Sequence, residues 1–534
     1  MINPETDSFF SKKIFSTGQI KAYLKDNSLL ILFFFVLILA AYGFELFNVN
    51  LTIDEELAAV RTGVNPGFIS SGRWGLLLLT KLFLTKQVIP FIPLVLTLCF
   101  QFAGILLLLD CLNIKRRSDR FLISSLGLTW PGLAYLYSFS FVNFAVGFGF
   151  FCISLSLLIL VRTTKGYKFL ASIPIALVFS IYQPLVQPLA MAILLNLLYN
   201  WQKEQKNLFR YLFSAIAMMA LGYMLYYGIQ QIFFLAYQTE ASNYISHYFH
   251  FRNLFQSLNI YILKLWRLFY NIMIGDVTFY GIEMRALPLF LLVAGGFTLT
   301  LEFKRREKLG YYFLFLALLG IFSVLPFIGG ILTKGYIPYR SLLGVPIFLM
   351  GWAALALKHV GPKARVLLSI LTVFTIFQFA SSMNHLFASS AFAYEEDKFL
   401  ASQLVQRIEQ EKAKAGTTDV VYLELVGFVD RPSTQLVSRI ENIGASFFGW
   451  DGGNPSRAAA FLRTLGYQGL EGLPLERRSD YVPAGESMPV WPEPGSIKIM
   501  DDVVVIKFGP YSSTQKNDLC ESEKTNSLPS GFCP

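Results

Sequence analysis

Apolar runs of about 20 residues, separated by short polar breaks, follow one another along the chain as far as residue 384, and each has the length a helix needs to cross a bilayer core. The runs at roughly 28–47, 88–110, 121–138, 141–161, 169–181, 184–199, 211–236, 285–302, 310–332, 341–357 and 366–384 predict about eleven transmembrane helices. The 169–181 run is short and abuts Pro184, so this pair reads as broken or re-entrant; the parity of the count survives either way. Lysines 12, 13, 21 and 25 precede the first run as they would in a signal peptide. That run is of spanning length, however, with no small-x-small cleavage site after it, so it reads as the first span.

Beyond residue 388 the pattern changes. "EEDKFLASQLVQRIEQEK" has helical spacing, and "DVVYLEL" and "DVVVIKF" are β-rich runs, which predicts an α/β domain over 389–515. The tail 516–534 is rich in Ser, Lys, Glu and Pro and is expected to be disordered. The expected fold is thus a mainly α polytopic membrane protein, residues 1–388, with a C-terminal α/β domain. No fixed-period repeat is present.

Composition agrees, since 54% of the 534 residues are hydrophobic and 15% charged, too apolar for an ordinary soluble multidomain protein. The net charge of +10 would suit a nucleic-acid binder only if it formed a patch. Instead it is split into clusters between the apolar runs. Lys115 to Arg120, Arg162 to Lys168, Lys203 to Arg210, Lys304 to Lys308 and Lys358 to Arg365 mark the cytoplasmic side, together with the amino-terminal lysines. The loop at 48–87 and everything after 389 then lie on the outward side, in the periplasm or outside the cell. Among the cysteines none has metal-ligand spacing, and a divalent metal is left undecided; Cys520 and Cys533 could pair outside or stay free thiols.

The candidate chemistry sits in that first outward loop, "NLTIDEELAAVRTGVNPGFISSGRWG", residues 50–75. Thr52 and Glu55 fit a capping box ahead of a short helix ending at Gly63, on which Asp54 would lie near the face of Arg61 while Glu56 points elsewhere. Capping accounts for Glu55 alone. Arg61, Arg73, Lys264, Arg267, Arg285, Lys334 and Arg340 all fall on the outward side, where short-loop cations are disfavoured. A lipid-linked phosphate would match them, because guanidinium offers paired donors to phosphate oxygens; snorkelling to headgroups is the alternative for any one of them. Carboxylates and cations together beside a membrane suit group transfer from a lipid phosphate to a hydroxyl. No Walker loop or dinucleotide fingerprint is present, and Asp501-Asp502 reads as a strand edge. His247 and His250 lack a neighbouring acid and read as interface residues, while Asp276 and Glu283 read as loop polarity.

"IDEE", "SGRWG" and "SIYQP", in that order and on that side, resemble the Gtr-type serotype-conversion glucosyltransferases of the GT-C superfamily. The resemblance implies a GT-C-like bundle and transfer of a sugar, typically glucose, from a polyprenyl phosphate carrier to O-antigen, lipopolysaccharide or another surface glycan on the periplasmic face. It implies the lipid-linked sugar donor, the glycan acceptor and membrane lipid as partners, with the flippase and donor synthase of the same pathway and no nucleic acid. Carried over, Asp54 and Glu55 would supply the base, with Glu56 extending the acidic pair; Arg73 and Trp74 would contact phosphate or sugar. Tyr182 and Gln183 would line the donor cavity. Arg340, Arg285 and Arg61 are added as substrate-binding candidates on sidedness. The alternatives are a lipid-linked glycan transporter or flippase, and a glycan ligase or polymerase.

Overall fold

The computed structural model describes residues 25–533 apart from 26, 62–65, 87, 164, 243–257, 306–307, 334, 336, 417–419, 522–527 and 529–531. Gly63, His247, His250, Arg306, Lys334 and the lysines at 12, 13 and 21 therefore lie outside the described residues. The chain divides into two compact units, Met1–Phe47 with Val64–Asn384, and Asn48–Gly63 with His385–Pro534. The expected linear division thus fails at one place: the acidic loop belongs with the carboxyl-terminal unit.

Among the described residues seven helices are long and apolar enough to cross a membrane: Ser28–Phe47, Ile92–Cys111, Ser140–Arg162, Trp201–Tyr237, Ala286–Lys304, Leu309–Phe327 and Pro362–Ala415. Of the last, residues 362–384 belong to the first unit. Shorter apolar helices are Trp74–Phe83, Gly166–Ile181, Gln183–Tyr199 and Val345–His359. The close pair is Ile92–Cys111 on Ser140–Arg162, where a side chain at Gly104 would meet the Phe150 backbone at 2.8 Å and one at Gly147 would collide with the Thr97 backbone. Exposed Phe209, Phe213, Ile216, Ile232 and Leu235 give Trp201–Tyr237 an outward apolar surface suited to lipid.

Two expectations are corrected in this unit, and the expected break at Pro184 is seen. The run 121–138 is not one span: helix Arg117–Thr129 stops at Trp130, whose ψ of 122° is extended, and a 3-10 turn Pro131–Leu133 leads to the short helix Ala134–Tyr137. Pro131 has no amide to donate and pushes its predecessor out of the helical region. Residues 74–83, read as loop, form a helix with Leu76, Leu77 and Leu79 buried. The pair around Pro184 is broken, Ser172–Ile181 ending in extended Tyr182 before a 3-10 turn Gln183–Leu185. At one end of the bundle two cations of the basic clusters are ion-paired, Arg120 with Asp110 and Arg365 with Asp119, each at 2.6 Å.

In the second unit the two β-rich runs become neighbours. Strands β1 (Tyr422–Val426), β2 (Glu471–Gly472), β3 (Ile497–Met500) and β4 (Val503–Lys507) form a mixed sheet in the order β2-β1-β4-β3, parallel except for the β3–β4 hairpin. Asp501, at φ +54°, sits in the hairpin turn, and Asp502 takes both nitrogens of Arg477 at 2.6 and 3.1 Å, so this acidic pair is structural. One face of the sheet packs on helix residues Leu400, Leu404 and Ile408, on Phe461 of helix Pro455–Thr464, and on Ile53 of the acidic loop. The ordered unit reaches further than composition suggests: Ser513–Glu521 is a helix with Gln515 and Leu519 buried, and Cys520 is disulfide-bonded to Cys533. Gln515 bonds the backbone of Leu425, Gly427 and Gly453, which holds that helix to the sheet.

Candidate active site

The backbone at the acidic loop separates the three carboxylates. Asp54 stands at φ +81° ahead of the six-residue helix Glu55–Val60, a left-handed conformation that Asp and Asn adopt more readily than other residues with a Cβ. Glu55 is 1% exposed, and its Oε2 accepts from the Thr52 amide at 3.0 Å and the Thr52 hydroxyl at 3.2 Å. The side chain reaches back as a capping box would, but the helix starts at Glu55 with Asp54 as its N-cap, so the expected cap at Thr52 is corrected and Glu55 is spent on the turn that leads into the helix.

Glu56 departs from the expectation that it points away. It is fully buried, and its Oε1 accepts from Nη1 of Arg457 at 2.7 Å. The same guanidinium donates from Nη2 to Asp54 Oδ1 and from Nε to Asp451 Oδ2, both at 2.7 Å. Arg457 thus holds three carboxylates with its own side chain 12% exposed, whereas those of Asp54 and Asp451 are 44% and 45% exposed. Asn454 caps the helix that carries Arg457, accepting from the amides of Ser456 and Arg457 at 2.9 and 3.4 Å, and Pro455 follows at the first helical position. Burial pushes the Glu56 carboxyl up to about 7, against the attraction of Arg457 and with a small push from Asp54. Arg61, the expected partner of Asp54, is exposed and makes no ion pair among the described residues. Arg457 and Asp451 were missed. "WDGGNPSR" announces a turn and a capped helix start, but nothing in it points across 403 positions to Asp54.

The other two motifs meet inside the first unit. Gln183 donates from Nε2 to the Ser71 carbonyl at 2.7 Å and accepts from Arg73 Nε at 3.3 Å, and the Arg73 guanidinium lies 5.0 Å from the centre of the Tyr182 ring. "SGRWG" and "SIYQP" are therefore one cluster. Its glycines are required: Gly72 has φ +76° and a side chain there would strike the Tyr226 hydroxyl, while one at Gly75 would strike Ser180. Trp74 is buried, its ring 5.7 Å from that of Phe233, so it is packing rather than a contact surface. Tyr182 reaches Ser341 at 3.5 Å, next to Arg340, whose guanidinium lies over Phe139 at 5.9 Å. The two terminal nitrogens of Arg73 carry no hydrogen bond among the described residues, which leaves a paired-donor edge for an anion. Arg285 is different: exposed, it pairs with exposed Glu283 at 3.0 Å.

The profile of the glucosyl transferase GtrII family matches residues 43–357. The chain belongs to the glucosyl transferase GtrII family. It is accordingly a glucosyltransferase of glycan modification, and the resemblance to Gtr-type enzymes is borne out at the level of the family. No curated protein and no solved structure matches the chain. Within the GtrII match lie Asp54, Glu56, Arg73, Tyr182, Gln183, Arg285 and Arg340; Asp451 and Arg457 lie beyond it. For this GtrII member, Arg73→Ala should weaken donor binding by about 2–5 kcal/mol, the scale for losing a desolvated charge-assisted contact, with Lys rescuing only partly for want of paired donors. Donor titration of the two variants checks it, and unchanged affinity in Arg73→Ala would take the donor contact away from Arg73.

Proposed function

We propose that the chain moves glucose from a polyprenyl phosphate to O-antigen, lipopolysaccharide or another surface glycan on the periplasmic face of a bacterial inner membrane. The observation that carries this reading is the selectivity of exposure among the three acids. Glu55 and Glu56 are buried, whereas Asp54 is pinned by Arg457 through Oδ1 and, among the described residues, has Oδ2 free of hydrogen bonds in a side chain 44% exposed. A base needs a held carboxylate with an open oxygen. As the bond from the acceptor oxygen to the anomeric carbon forms, Asp54 takes the hydroxyl proton and the bond from that carbon to the lipid phosphate breaks. Within the first unit, Arg73 offers the paired donors that would neutralise the charge a departing phosphate gains. The disulfide between Cys520 and Cys533 suits a domain in an oxidising compartment, which supports the outward placement of the second unit.

The purified chain, given polyprenyl-phosphate glucose and candidate glycans, should transfer glucose. Transfer from a nucleotide sugar alone, with none from the lipid donor, would defeat the donor assignment. Orientation has its own check. Protease added from outside should remove the segment after residue 390 and spare the loop at 115–120, whereas external cleavage at Arg116 would invert the topology.

A further inference from the structure

A polar cavity lies apart from the residues assigned to the transfer reaction. It lies within the first unit, has a volume of about 260 Å³, and is lined by Trp201, Gln202, Gln205, Glu302, Arg305, Tyr311, Tyr312 and Phe315. Helices Gln183–Tyr199 and Val345–His359 start beside Gln183 and Arg340 and end at this cavity's end of the bundle. At 1.5 Å per residue they separate it from the Arg73 cluster by about 20 Å. Three of the apolar spans, Trp201–Tyr237, Ala286–Lys304 and Leu309–Phe327, also begin or end here, which places the cavity at the depth of lipid headgroups.

Its chemistry is particular. Glu302 is 7% exposed, and among the described residues its carboxylate makes no hydrogen bond and no ion pair, although Arg305 and Lys358 act on it electrostatically; the side-chain amide of Gln205, also 7% exposed, makes no hydrogen bond among them either. Lys358, which attracts Glu302 from beyond hydrogen-bond range, is held elsewhere, donating to the Tyr199 carbonyl with its ammonium over the Tyr199 ring. A carboxylate held largely out of water without a hydrogen bond is costly, and a donor that enters the cavity would supply one. The walls are aromatic: Trp201 and Phe315 stand 5.9 Å apart, and Tyr311 and Tyr312 complete the ring set. Aromatic faces around a carboxylate suit a cation, and the missing hydrogen bond selects a primary ammonium over a trimethylated one. Arg305 is exposed at the cavity, with its Nη1 fixed 2.9 Å from His359 Nε2, and its remaining nitrogens suit a phosphate. An ammonium and a phosphate a short link apart make phosphoethanolamine.

We infer that this cavity binds a phosphoethanolamine group, with the ammonium on Glu302 among Trp201, Tyr311 and Tyr312 and the phosphate on Arg305, and that its source is the headgroup of a membrane lipid. The full chain, delipidated in detergent, would be titrated by native mass spectrometry with short-chain phosphatidylethanolamine, phosphatidylcholine and phosphatidylglycerol, and with soluble phosphoethanolamine. Phosphatidylethanolamine should bind about ten-fold tighter than the other two lipids, Glu302→Gln should remove that preference, and Arg305→Ala should weaken it. Tyr312→Leu, at a partly exposed wall position, should also weaken it, and this tests the site even if Glu302→Gln does not fold. Soluble phosphoethanolamine binding much more weakly than the lipid upholds the headgroup as source; equal binding overturns that source. Equal affinity for all three lipids, or an unchanged preference in both Glu302→Gln and Tyr312→Leu, would overturn the site itself.

Discussion

Asp54→Asn should lower the turnover of glucosyl transfer by about 100-fold or more while leaving donor affinity near wild type. The amide keeps an acceptor oxygen for Arg457 and tolerates the left-handed backbone at φ +81°, so the loop stays folded and only the proton acceptor is lost. Glu55→Gln should be nearly silent, because glutamine still reaches back to the Thr52 amide. The structure thereby sets Glu55 apart from Asp54, with which the loop sequence paired it. Steady-state rates with saturating donor, alongside a donor titration, separate the outcomes, and wild-type turnover in Asp54→Asn would remove the base from this loop.

Arg457→Ala should cost the second unit about 3–5 kcal/mol and abolish transfer, because it strands the buried carboxylate of Glu56 without its partner. Hydrogen exchange over 55–60 and 455–464 reads the stability, since both helices hang on that guanidinium. Arg457→Met combined with Glu56→Gln should recover part of the stability and none of the activity, because an uncharged interior tolerates the loss of both partners but Asp54 is no longer held. The pH dependence has a definite sign. Burial raises the Glu56 carboxyl from 4.5 to about 7, so the folded chain holds this proton more tightly than the unfolded one. The contribution is greatest below pH 4.5 and falls as pH rises to about 7. Glu56→Gln should flatten that part of the stability profile; an unaltered slope would mean that Glu56 stays ionised throughout.

What was legible in the sequence follows from the range of the interactions involved. Apolar runs of spanning length, the Pro184 break, the β-rich runs of β1 and β4 and the reach of Glu55 back to Thr52 are local patterns, and local patterns survive in one dimension. The run at 121–138 misled because its apolar side chains pack inside the bundle and not against lipid, so Pro131 could break it without exposing backbone to hydrocarbon. The union of "SGRWG" with "SIYQP" was visible as two motifs but not as one cluster, since the bond from Arg73 to Gln183 joins positions 110 apart. Arg457 left no trace at all. The helical wheel that paired Asp54 with Arg61 assumed that the loop's cations serve its acids, and the structure brings the cation from another part of the chain.

That distance has a temporal meaning. At about 5–20 residues per second, a ribosome needs on the order of 20–80 s to travel the 403 positions from Asp54 to Arg457. For that interval Ile53 has no core to enter and Glu56 no guanidinium, because Leu423, Phe461 and Val504, with which Ile53 clusters, are not yet made. The acidic loop must stay solvated while the apolar helices of the first unit are being inserted. A nascent chain released before residue 457 would carry the whole GtrII match, residues 43–357, and still leave Asp54 and Glu56 without their guanidinium.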